Sequence, residues 1–198
     1  LPPSTYRTFI NMIHTSPCPC GSTLSYADCC APLHVGQKFA DTAEQLMRAR
    51  YAAFVLQHVE YIVATTAPFQ QPLLDTQAIS DWAKQTNWVG LEVIKHTPKI
   101  GKRHSQVEFK AYFHLPNASA VHSAGLDLAV LDLAVLDSKG LDSKGVHHEL
   151  STFVNIPTHG TSRWYFLDPT VVMSVTQKQP CSCGSSEKYK RCCGQFLA

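Results

Sequence analysis

The chain spells one cysteine pattern twice, once near each end. Residues 18–30 read CPCGSTLSYADCC and residues 181–193 read CSCGSSEKYKRCC. Both follow C-x-C-x8-C-C with Gly-Ser after the first pair, and together they use all eight cysteines. No thiol is left for nucleophilic catalysis. Four thiolates brought together by a short turn can close a tetrahedron on one metal ion. The expected ligands are Cys18, Cys20, Cys29 and Cys30 in one site and Cys181, Cys183, Cys192 and Cys193 in the other. Gly21 and Gly184 stand where the chain must bend sharply, so positive φ is expected there. Tyr26 and Tyr189 are expected beside cores too small to be hydrophobic by themselves. Such a knuckle takes its folding free energy from the metal, about 10–16 kcal/mol for structural zinc in small peptides.

Disulfides are the competing reading of an even cysteine count. Secreted disulfide scaffolds are short and spread their cysteines. Here the cysteines cluster at both ends of a Cys-free middle, which favours metal. Two Zn2+ ions are expected, although iron or Cu(I) also suits four soft thiolates. The second knot is expected to be the more exposed and the more readily oxidised.

The 198 residues suffice for one core plus small appendages, and 44% are hydrophobic against 16% charged. A formal net charge of +2 argues neither for nor against nucleic acid. No apolar run reaches the length of a membrane span. The opening LPPSTYRTFINMIH lacks the apolar stretch of a signal peptide, and its first residue, Leu1, suggests a trimmed start. A cytoplasmic location is expected, where the sequon at Asn117 has no meaning. The expected layout is a lead-in over 1–17, a knuckle over 18–34, a body over 41–168 and a second knuckle over 178–198.

Within the body, helical periodicity predicts a helix over about 41–57, capped by Asp41 with Glu44 three residues on. Further helices are predicted over about 59–66 and 76–85. The period then changes to two. Strands are predicted over 88–95 with Val89, Leu91 and Val93 on one face, and over 106–115 with Val107, Phe109, Ala111, Phe113 and Leu115 inward. Two more are predicted, over 147–156 with Leu150, Thr152, Val154 and Ile156 inward, and over 163–167. Helices followed by antiparallel strands make an α+β domain. Residues 126–145 read LDLAVLDLAVLDSKGLDSKG, two perfect doublets. They are read as one segment written twice, the alternative being a tandem duplication in a hairpin loop. Neither carries a function.

Both knots resemble the SEC-C motif, a small metal-binding module also found at the C-terminus of the SecA translocation motor. The chain as a whole resembles the YchJ-like family of bacterial proteins. QLMRARYAAF at 45–54, TNWVGL at 86–91 and WYFLD at 164–168 carry that resemblance, and Pro169 departs from the family's usual Gly. The resemblance implies a nuclear-transport-factor-2-like middle domain, a cone formed by a curved antiparallel sheet wrapped by helices, between two zinc knuckles. It also implies docking, because SEC-C modules elsewhere meet acidic protein surfaces such as the export chaperone SecB, or ribosomes.

Two functions compete. In the first, the knuckles dock a protein partner, with Lys188, Lys190 and Arg191 of the second knot as the basic contact; those cations could equally just offset the charge of four thiolates. In the second, the cone holds a small molecule or an isomerase- or hydrolase-type active site. Its candidates are Arg50, Tyr112, His114, Glu149 and Asp168. Periodicity places Tyr112, His114 and Glu149 on polar strand faces, while Arg50 falls in line with the apolar helix positions, from which it could reach a carboxylate. No nucleophile elbow, metalloprotease spacing or phosphate loop is present. Basic residues do not interleave with aromatics, so direct nucleic-acid binding is not expected.

Overall fold

A computed structural model describes residues 16–114, 144–158 and 160–197. Most of the doublet region, 126–143, and the predicted inward Leu115 lie outside the described residues.

Among the described residues four α-helices precede four strands. They are α1 (Ala31–His34), α2 (Ala43–Val55), α3 (Val59–Ala64), α4 (Thr76–Gln85), β1 (Asn87–Thr97), β2 (His104–His114), β3 (Lys144–Thr158) and β4 (Thr161–Leu167). The strands form one antiparallel sheet in the order β1-β2-β3-β4. This is the expected α+β class.

Helix α2 starts one residue later than its predicted cap. Thr42, not Asp41, is extended at the N-cap, and its Oγ1 accepts from the Gln45 N–H at 3.1 Å. The Gln45 side chain reaches back to the Asp41 N–H at 2.7 Å. Helix α4 is capped by Asp75, which accepts from the Ala78 N–H.

The main core lies between α2 and one face of the sheet. Leu46, Met47 and Tyr51 pack there against Trp88, Val107, Phe109, Phe113 and Phe153. The alternation predicted for β2 holds. On β1 Leu91 and Val93 pack against the core as expected, but Val89 does not, because the register slips between Trp88 and Gly90. The extra residue is Val89, which the bulge leaves 40% exposed while Trp88 turns inward. On β3 the expected faces are reversed. Phe153 is the strand's core residue, and Leu150 is 57% exposed. Val154 and Thr152 are buried, but Val154 sits in a second cluster with Tyr165, Leu167 and the C-terminal cysteines. The sheet is therefore covered on both faces at this end, and an alternation rule assumes only one.

Two polar side chains lock the body. Arg50 is buried, and its Nη1 donates to the Ile62 carbonyl at 2.6 Å and the Thr65 hydroxyl at 2.9 Å. Its guanidinium lies 4.5 Å from the Phe166 ring centre. It caps the C-terminal end of α3, and no ion pair joins it to a described carboxylate. Desolvation lowers its pKa to about 10, so it stays charged at neutral pH. Gln70, fully buried, clamps the backbone of Asp168 through both ends of its amide, at 2.8 and 3.0 Å.

Candidate metal centres

In the first knuckle Gly21 has φ +77°, and in the second Gly184 has φ +72°, the reversals that the spacing demanded. The turns bring each set of four sulfurs within 4.8 Å of one another. No disulfide joins any of the eight cysteines. A tetrahedral ion with bonds of about 2.3 Å would hold sulfurs about 3.8 Å apart. The sulfurs of Cys29 and Cys30 are 3.8 Å apart, those of Cys20 and Cys29 3.5 Å, and those of Cys183 and Cys192 3.4 Å. Both clusters fit one mononuclear ion.

The two clusters share an electrostatic pattern. Hydrogen bonds from Cys18 and then Cys30 push the Cys20 thiol far below its ordinary range. Those from Cys181 and then Cys193 do the same to Cys183. Cys30 and Cys193, the donating partners, are pushed far up. Without a cation the four sulfurs can shed only part of their protons, because like charges at this separation repel. A bound cation removes that penalty, and ligation requires the thiolates.

The repeated Gly-Ser has a second use that the sequence did not disclose. Ser22 Oγ donates to Cys29 Sγ at 3.2 Å, and Ser185 Oγ sits 3.1 Å from Cys192 Sγ in the equivalent place. Hydroxyls that donate to ligating sulfurs orient them and spread their charge. The second cluster has an extra partner from the body. His104, at the start of β2, is 3% exposed, with Nε2 3.3 Å from Cys193 Sγ and its ring 4.8 Å from that of Phe196. No sequence signal marked this histidine, which is 89 residues from its sulfur.

Both knuckles are docked on the body. In the first, His34 Nε2 donates to the Ala49 carbonyl at 2.9 Å, its Nδ1 meets the Tyr26 hydroxyl at 2.8 Å, and Arg48 donates to the Cys20 carbonyl at 3.0 Å. Burial lowers the His34 pKa to about 4, so the neutral imidazole makes these contacts at neutral pH. The second knuckle covers the far face of the sheet over Val154, Tyr165 and Leu167, with Tyr189 buried beside its cysteines.

The expected difference in exposure is reversed. All four cysteines of the second cluster are buried, whereas Cys29 of the first is only partly covered. Tighter covering and the His104 contact are expected to make the second site, when metal is bound, the slower to release it. Chelator challenge should therefore give two phases, with Cys29 or its cluster partners alkylated first by mass spectrometry. His104→Phe should speed the slow phase alone by about tenfold or more. Alkylation beginning at Cys192 or Cys193 would show that the order is wrong.

The remaining candidates do not assemble into one site. Tyr112 points outward and donates to Glu92 at 2.6 Å. His114 lies on the same outward side, half-buried. Asp168 accepts from the N–H and hydroxyl of Thr170 and organises the turn after β4. Glu149 is the correction. It pairs across the sheet with Phe109, so it faces the core side rather than a polar outer face. There it accepts from His147 Nε2 at 2.9 Å and from the Ser151 hydroxyl. Burial would raise its pKa, but the bonds from His147 and Ser151 hold it below the ordinary carboxylate value. The His147 ring lies 5.7 Å from Trp82, and Trp82 lies 5.3 Å from Trp88, whose buried Nε1 has no hydrogen-bond partner.

Fold and clusters together define an α+β protein carrying two four-cysteine knuckles that could each hold a metal ion. The chain belongs to the UPF0225 family of bacterial proteins. It is 43% identical over 183 residues to a UPF0225 protein of Actinobacillus succinogenes, covering 92% of this chain and 99% of that one. It is 45% identical over 180 residues to one of Haemophilus influenzae, covering 91% and 92%. Residues 42–124 match the YchJ middle NTF2-like domain, and residues 15–32 match the SEC-C motif. The crystal structure of a SEC-C motif containing protein from Psychrobacter arcticus superposes with a TM-score of 0.78 at 50% identity, covering 94% of this chain and 99% of that one. The solution structure of a SEC-C motif containing protein from Rhodopseudomonas palustris gives 0.57 at 31% identity, covering 76% and 94%. No described helix is long and apolar enough to cross a membrane.

Proposed function

We propose that the protein is a cytoplasmic zinc protein whose C-terminal knuckle docks on an acidic protein surface, such as that of an export chaperone of the SecB kind or a ribosomal protein. Zinc is the reading for the metal because four clustered thiolates suit a tetrahedral d10 ion. Unbridged cysteines in this number fit a reducing compartment.

The observation that carries the docking role is the outer surface of the second knuckle. Its cysteines face inward, while Lys188, Lys190 and Arg191 are exposed. Glu187, the one acid of that turn, is paired with Lys102. The Lys190 N–H bonds the Gln177 carbonyl at 3.1 Å, which brings exposed Lys178 alongside. The first knuckle has no such face, since residues 18–34 contain no lysine or arginine.

Reversing the charge of Lys188, Lys190 and Arg191 together should weaken capture of the acidic partner by about tenfold or more at low salt, with the fold and metal content unchanged. The wild-type affinity should itself fall as ionic strength rises and the Debye length shrinks to about 8 Å at 0.15 M. Binding to SecB or to ribosomes that survives the triple reversal would reject this face as the contact.

A second reading has one observation in its favour, the inward His147–Glu149–Ser151 row beside the unpartnered Trp88 Nε1. A small molecule held in the cone would meet these groups. Turnover or ligand binding abolished by Glu149→Gln, with docking intact, would move the function there.

A further inference from the structure

The described surface contains a cavity of about 270 Å³ at the seam between the first knuckle and the body. Its walls come from α1, the linker after it, α3 and β4, with Leu33, Phe39, Tyr61 and Trp164 as the apolar faces and Lys38 and Arg163 as the cations. Arg163 is the anomaly. Its guanidinium carbon lies only 3.5 Å from the centre of the Phe39 ring, so one face of the planar group is covered by an aromatic. Its Nε is buried and has no hydrogen-bond partner. No described carboxylate forms an ion pair with it, although Glu60 lines the same cavity. A buried guanidinium donor without an acceptor is costly. Stacking restrains the group, and the terminal Nη donors, which are not buried as Nε is, can meet an oxyanion through two N–H bonds.

We propose that this cavity binds a small molecule with a flat apolar body and a terminal oxyanion, a carboxylate or a phosphate monoester. The oxyanion meets the edge of Arg163, with Lys38 adding a second positive charge. The ring fills the space between Tyr61, Leu33 and Trp164. The volume lies just below the usual range for small-molecule pockets, so it suits a one- or two-ring compound rather than a peptide. The site uses neither the basic face of the second knuckle nor the His147–Glu149 row, so it stands or falls apart from both.

Calorimetry on the full metal-loaded chain tests this with three probes: indole-3-acetate, its neutral isostere indole-3-acetamide, and 1-naphthyl phosphate. At least one of the two anions should bind with a Kd below about 1 mM, and the better of them identifies the oxyanion. The amide should bind at least about tenfold more weakly than the acetate if the carboxylate is the ligand group. Arg163→Gln should cost the better anion about tenfold or more. Lys38→Glu, an exposed change that leaves the core untouched, should weaken it several-fold in a salt-dependent way and keeps the test valid if Arg163→Gln fails to fold. No binding by either anion, or binding indifferent to both substitutions, overturns the proposal.

Discussion

Cys193→Ser is expected to leave one bound metal per chain in place of two and to unfold the C-terminal knuckle. Cys193 is fully buried, offers its sulfur to the second cluster, and is met there by His104. A serine hydroxyl is a poor ligand for a soft thiolate site, so the metal's contribution, on the order of 10 kcal/mol in small zinc peptides, is forfeited locally. The loss should spread, because the knuckle covers Val154, Tyr165 and Leu167 on the sheet. Hydrogen exchange should show amides of 180–197 losing protection first, followed by weakened protection in β3 and β4, while α2 keeps its own. Elemental analysis supplies the metal count. A variant that retains two metals, or retains protected amides in 180–197, would refute the assignment of this ligand.

Gly145→Val is expected to destabilise the body by about 3 kcal/mol, toward the upper end for overpacking a filled core. Gly145 pairs across the sheet with Phe113, whose ring lies over it. A Cβ added there would stand 2.3 Å from the ring's Cζ and 2.5 Å from Cε2. The ring cannot simply swing aside, since Phe113 is buried and lies 5.6 Å from Trp88 in an edge-on contact. Gly145→Ala should cost less, about 1–2 kcal/mol. Urea unfolding followed by tryptophan fluorescence measures both. An unchanged midpoint for the valine variant would mean that the ring and strand rearrange freely.

The last residues of the doublet are thus the start of a strand. Lys144 and Gly145 belong to β3, which begins three residues before the predicted His147. Glycine alone is a poor strand former. An aromatic ring on the neighbouring strand supplies the covering that glycine lacks, and that neighbour is 32 residues away in the chain.

What the sequence determined by itself follows from local spacing. Two cysteine pairs within one short turn can meet only around something small, and Gly21 and Gly184 adopt the positive φ that such a turn requires. Asp75 capped α4 at its predicted start, and the alternation of β2 held because one of its faces meets the core along the strand. Tertiary structure decided the rest. Whether β3 buries Phe153 or Leu150 depended on a second cover, the C-terminal knuckle, arriving from the far end of the chain. Glu149 turned inward for the same reason of register. His104 came to Cys193, and Arg163 to Phe39, through contacts between distant segments. Periodicity records how one element divides water from core; it holds no record of which other element will lie on its second face.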